Sequence, residues 1–147
     1  MIFSHGMNLS YSSNFINFLK LQKERGIVVK IVPSDLQGNI DLDELNRFIS
    51  SKTKLIALTW LPTNSGIINP AVEVGKIARE KEVIYLVDAC QAVGQLPVNV
   101  QELHCSFLSA TGRKFLRAPR GTGFLYVNEN VLEKVNPIWL DTYAADW

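Results

Sequence analysis

Apolar positions along this chain follow two alternating rhythms, one helical and one extended. In residues 14–24, Phe15, Phe18, Leu19 and Gln22 recur at helical spacing, with Ser12 or Ser13 available as an N-cap and Gly26 as the stop. Residues 27–32 are β-branched and bounded by Gly26 and Pro33, which predicts a strand, and residues 35–39 predict a turn. Asp41-Leu42-Asp43-Glu44 reads as a capping box ahead of the stripe Leu42, Leu45, Phe48 and Ile49. A second strand is expected over 54–60, a loop over 62–66, and a helix over 71–81 with Val74, Ile77 and Ala78 facing inward. Residues 83–87 form a nearly continuous apolar run, as in a strand covered on both faces. A short strand over 106–109, a last strand over 123–127 and the start of a helix over 130–135 complete the pattern; none is evident over 141–147. This alternation predicts an α/β fold, a three-layer α/β/α sandwich with a mostly parallel sheet.

In such sheets, ligands sit beyond the carboxyl ends of the strands. Thr63, Asp88 and Thr111 each fall just after a predicted strand, so three strand ends converge on one crevice. Two of those ends carry a distinctive pair. The run Tyr85-Leu86-Val87 ends in Asp88, and Ser109-Ala110-Thr111-Gly112-Arg113 leads to Lys114. A lysine and a strand-end carboxylate are what pyridoxal phosphate (PLP) requires. The amine forms a Schiff base with the cofactor aldehyde, and the carboxylate keeps the pyridine nitrogen protonated. Read singly, Asp88 is also a reasonable helix N-cap, Gln91 a first-turn residue and Lys114 a solvated lysine.

The segments Val87-Asp88-Ala89-Cys90-Gln91-Ala92-Val93-Gly94 and 109–123 (SATGRKFLRAPRGTG) resemble the class V aminotransferase family of fold-type I PLP enzymes. Cysteine desulfurases and isopenicillin N epimerase-like proteins belong to it. The resemblance implies Lys114 as the Schiff-base lysine, Asp88 as the pyridinium partner and Gln91 as a donor to the ring's phenolic oxygen. It implies Thr111 and Arg113 as phosphate ligands, Arg113 replacing the histidine usual in desulfurases with a permanent charge. Tyr11 stands where desulfurases place a histidine that stacks on the pyridine, and an aromatic can keep that role. Thr63, counted back from Gly66, takes the position of a polar contact to the cofactor or substrate. Ala118 replaces a usual glycine, so a positive φ there would be strained; His104 likewise stands where glycine is common.

The family's members are more than twice this length. The chain is therefore expected to be part of the large PLP-binding domain, 1–147, without the small C-terminal domain, inactive alone and exposing apolar surface. The intact parent is expected to be a homodimer acting on a small amino-acid substrate, by transamination, epimerisation or C–S cleavage. Cysteine desulfurase is one alternative; a non-catalytic remnant is the other.

Composition narrows the partners. At 147 residues with 47% hydrophobic and 20% charged residues, the chain can bury a core. A net charge of +1 gives no reason to expect nucleic acid, and no apolar run is long enough for a membrane span. Two cysteines make no disulfide framework, which fits a reducing, cytoplasmic setting. No G-x-G-x-x-G joins a strand to a helix, which disfavours a dinucleotide-binding module.

Overall fold

The structure, a computed structural model, describes residues 2–4 and 12–136. Among these, six strands form one sheet: β1 (Ile2–Ser4), β2 (Lys30–Val32), β3 (Leu55–Thr59), β4 (Ile84–Asp88), β5 (Phe107–Thr111) and β6 (Gly123–Val127). Their order is β2-β1-β3-β4-β5-β6. Every pairing is parallel except β5 with β6, which run antiparallel with Thr111 opposite Gly123. The helices are α1 (Ser12–Arg25), α2 (Leu42–Phe48), α3 (Ala71–Glu80) and α4 (Val100–Leu103), followed by a 3-10 helix, Glu129–Lys134.

Strand alternation divides the sheet between two helical layers. On one face, Ile56, Leu58, Tyr85, Val87 and Leu108 join Leu45 of α2, Val74 and Ala78 of α3 and Leu103 of α4 in a single buried cluster. On the other, Ala57, Thr59, Leu86 and Asp88 line a cleft with Asn14 and Phe18 of α1. The three-layer α/β/α sandwich is therefore present, with most of the core on the α3 side. The α1 side is less filled, and it is the side that the strand-end polar residues face.

Local chemistry explains most element ends. Asp41 caps α2 by accepting from the N–H groups of Asp43 and Glu44 at 3.0 Å each. The reciprocal arm of the box is not made: Glu44 pairs with Arg47, and Asp41 N–H donates to the Pro33 carbonyl. Ser12 and Ser13 lie inside α1 and do not precede it. Gly26, at φ +66°, closes that helix as expected. Residues 27–29 are not strand, because β1 supplies partners only for Lys30, Ile31 and Val32. At the β6 edge, Phe124 and Leu125 are exposed, as are Phe115 and Leu116 in the preceding loop.

The expected strain at Ala118 is absent: its φ is not positive, and the left-handed residue is Arg117 at φ 55°. A turn closed by Arg117 N–H to the Lys114 carbonyl places that conformation one position earlier. His104 does carry the cost, at φ 48° as the C-cap of α4. Relief of a left-handed non-glycine outweighs the added chain entropy of glycine. His104→Gly is expected to stabilise the fold by about 1 kcal/mol, raising the melting temperature by roughly 2–4 °C in thermal denaturation.

Candidate functional site

Asp88 is the last residue of β4 and only 8% exposed. Burying a carboxylate requires donors, and it has them. Its Oδ2 accepts from Asn14 Nδ2 at 2.8 Å, and its Oδ1 from the Cys90 backbone N–H at 3.1 Å. The contact to Cys90 N–H is an Asx-type turn; no helix begins here, so Asp88 is not an N-cap.

The end of β5 lies alongside: Asp88 pairs with Ser109, and the Ala89 N–H donates to the Ser109 carbonyl at 2.9 Å. Burial first, then the Asp88 charge and hydrogen bond, push the Cys90 thiol up to about 12. The Thr111 backbone N–H and the Lys114 ammonium act on that thiol in the opposite direction. The predicted acid and lysine lie 26 residues apart in sequence (114 − 88), and the loop after β4 packs at Gly94 against the backbone of Phe115, next to Lys114.

Thr63 and Gln91 also meet. Gln91 Nε2 donates to Thr63 Oγ1 at 2.9 Å, joining the loops after β3 and β4. The Thr63 loop is anchored at its far end by Asn69, whose side chain accepts from Ile40 N–H at 3.2 Å and donates to the Thr59 carbonyl at 2.7 Å. Within this loop the Ser65 hydroxyl oxygen is buried with no hydrogen-bond partner among the described residues.

Thr111 ends β5 and does not follow it: antiparallel pairing with β6 extends the strand beyond the apolar signal. Arg113 is exposed, and Lys114 is half-buried. The turn between them and β5 is tight. A Cβ on Gly112 would lie 2.2 Å from Thr122 Oγ1, a hydroxyl already bonded to the Pro119 carbonyl at 2.7 Å. From the other side, Gly94 at φ +92° lets the loop after β4 press against the backbone that follows Lys114. A Cβ there would stand 2.7 Å from the Phe115 carbonyl carbon. Residues 113–120 carry Arg113, Lys114, Arg117 and Arg120, with no acid from Thr111 to Asn128. The ion pairs among the described residues, Lys20–Glu24 and Arg47–Glu44, lie elsewhere.

Tyr11 lies outside the described residues. Asn14 is the contact that pattern reading missed; its only signal is its place at the end of the Ser12-Ser13-Asn14 segment. Among the described residues, no cluster of His, Cys, Asp and Glu could hold a metal, and no helix is long and apolar enough to cross a membrane.

The donor set fits PLP: an anchored carboxylate, a nearby lysine, an amide–hydroxyl pair and a basic loop on a tight turn. Comparison with known proteins agrees. The aminotransferase class-V family model matches residues 7–143. A probable cysteine desulfurase of Synechocystis sp. is 35% identical over 131 residues, covering 89% of this chain and 31% of the relative. One from Methanothermobacter thermautotrophicus is 33% identical over 133 residues, covering 90% and 33%. The apo structure of a cysteine desulfurase from Thermococcus onnurineus NA1 superposes with a TM-score of 0.87 at 30% identity, covering 96% of this chain and 34% of that one. The chain thus spans about a third of the length of the curated relatives it matches. It belongs to the class V aminotransferase family, whose members are PLP-dependent.

Proposed function

We propose that this chain carries the PLP-binding portion of a large domain that acts on an amino acid, with Lys114 as the cofactor lysine. The observation that supports this most is the placing of Asp88 and Thr111 at the ends of the adjacent strands β4 and β5, with the loop after β4 packed at Gly94 against the backbone beside Lys114. When bound, PLP supplies an electron sink for bonds at the substrate Cα. Lys114 offers the amine for the cofactor aldehyde and, once displaced, a base for the Cα proton. Asp88, oriented by Asn14 and the Cys90 N–H, would pair with the ring nitrogen. Gln91 and Thr63 present a joined amide and hydroxyl to the ring's polar edge. Thr111, Arg113 and the basic loop receive the phosphate. On the resemblance alone, Tyr11 would take the stacking role.

Transamination, epimerisation and C–S cleavage all start from that arrangement. The names of the relatives favour cysteine desulfurase as the second reading. A cytoplasmic homodimer is the expected setting.

A visible absorption titration with PLP, followed by borohydride and peptide mapping, tests the reading. The expected result is a saturable band and one reduced adduct, on the Lys114 peptide. No band, or label scattered over surface lysines, would support the non-catalytic remnant instead.

A further inference from the structure

We propose that Asn14 is a positioning residue that aims the Asp88 carboxylate at the cofactor's ring nitrogen. The inference rests on the PLP reading above. Asn14 lies in the first turn of α1, 74 residues from Asp88 in sequence, yet its amide donates to Oδ2 at 2.8 Å.

An ionised carboxylate offers about four lone-pair directions. Two donors occupy this one on opposite oxygens: Asn14 Nδ2 on Oδ2 and the Cys90 backbone N–H on Oδ1. Room remains for a further donor, which is what a protonated pyridine nitrogen provides. Carboxylate torsions are otherwise broad and roughly two-fold. Donors on opposite oxygens remove that freedom, so the remaining acceptor directions are fixed. Both come from ordered positions: one is backbone, and the other is a helix residue beside Phe15, which is 6% exposed.

The chemical type of the donor matters as well. An arginine or lysine at position 14 could also hold the carboxylate, but its charge would compete with the pyridinium for Asp88. A neutral amide orients the carboxylate and leaves its negative charge to act on the ring.

The test uses the full chain with PLP, comparing wild type with Asn14→Leu, Asn14→Ser and Asn14→Asp. Three quantities are read: the cofactor dissociation constant, the pH midpoint at which the ring nitrogen of bound 15N-labelled cofactor loses its proton by NMR, and the melting temperature without cofactor. Asn14→Leu, similar in size but without a donor, is expected to bind PLP about tenfold more weakly. Its pH midpoint should fall, because a misaligned carboxylate stabilises the ring proton less. Asn14→Ser, which keeps a donor, should recover part of both changes. Asn14→Asp adds charge beside the ring and should raise the midpoint; it carries the comparison if Asn14→Leu does not fold. An unchanged midpoint in the variants, even with weaker binding, overturns the inference, since a purely structural role predicts that result. Absence of any band in wild type removes the PLP reading and this inference together, and is distinguishable because every protein then behaves alike.

Discussion

Lys114→Ala is expected to abolish the borohydride-fixable band while leaving the fold intact. The side chain is half-buried and makes no ion pair among the described residues, so removing it should change stability by no more than about 0.5 kcal/mol. A lost band would therefore be a loss of chemistry and not of structure. In a PLP-loaded enzyme containing this chain, the same change removes both the amine that holds the cofactor and the base that handles the Cα proton. A drop of about a thousandfold in turnover is the expected scale. Lys20→Ala is the matched control: that lysine pairs only with exposed Glu24 on α1, and its loss should alter neither band nor turnover. If Lys114→Ala retains a fixable band on a single peptide, another lysine is the cofactor residue and the reading is wrong.

The fold was legible where burial imposes a period. The apolar runs at β3 and β4 and the stripe through α2 and α3 appear in sequence because one face of each must join the same core. Site residues at strand ends were legible for a related reason: a polar residue that stops an apolar run is a residue at the sheet's edge. Thr63, Asp88 and Thr111 could be placed that way; Gln91 came from the resemblance, and it touches Thr63.

What was not legible depends on partners distant in the chain. β1 has three residues, too few to show alternation. The extension of β5 to Thr111 comes from β6, twelve positions on in the register (123 − 111). The bond between Asn14 and Asp88 spans 74 residues, and no local pattern encodes it. Arg117, and not Ala118 where the family's glycine stands, takes the left-handed conformation, because the turn at Lys114 sets its own register. Local chemistry names the residue types at such places, and long-range packing decides which of them meet.

Gly75→Ala is expected to be the most damaging small change to the fold. By helix propensity alone it should help, since alanine is better than glycine inside a helix by about 1 kcal/mol. Packing opposes it. Gly75 sits in the middle of α3, where α4 crosses so closely that a Cβ would stand 2.0 Å from the Leu103 carbonyl oxygen. The same Cβ would lie 2.9 Å from the Leu103 carbonyl carbon and 3.3 Å from Tyr85 Cε1. Neither neighbour can step aside cheaply. Leu103 contributes backbone and a side chain buried at 1%, directly before left-handed His104. Tyr85 is fully buried, with its hydroxyl donating to the Ala71 carbonyl at 3.0 Å. Relief would require α3 and α4 to separate, opening the cluster around Val74, Ala78 and Leu103. Overpacking of this kind costs about 1–3 kcal/mol and occasionally more, and a contact with backbone belongs at the upper end. A net loss of roughly 2 kcal/mol should remain after the propensity gain, lowering the melting temperature by about 4–8 °C. Because α3 leads directly into β4, the separation should also disturb Asp88 and weaken PLP binding. A Gly75→Ala protein that melts at or above the wild-type temperature would show that the two helices are not in the close contact on which this face of the core depends.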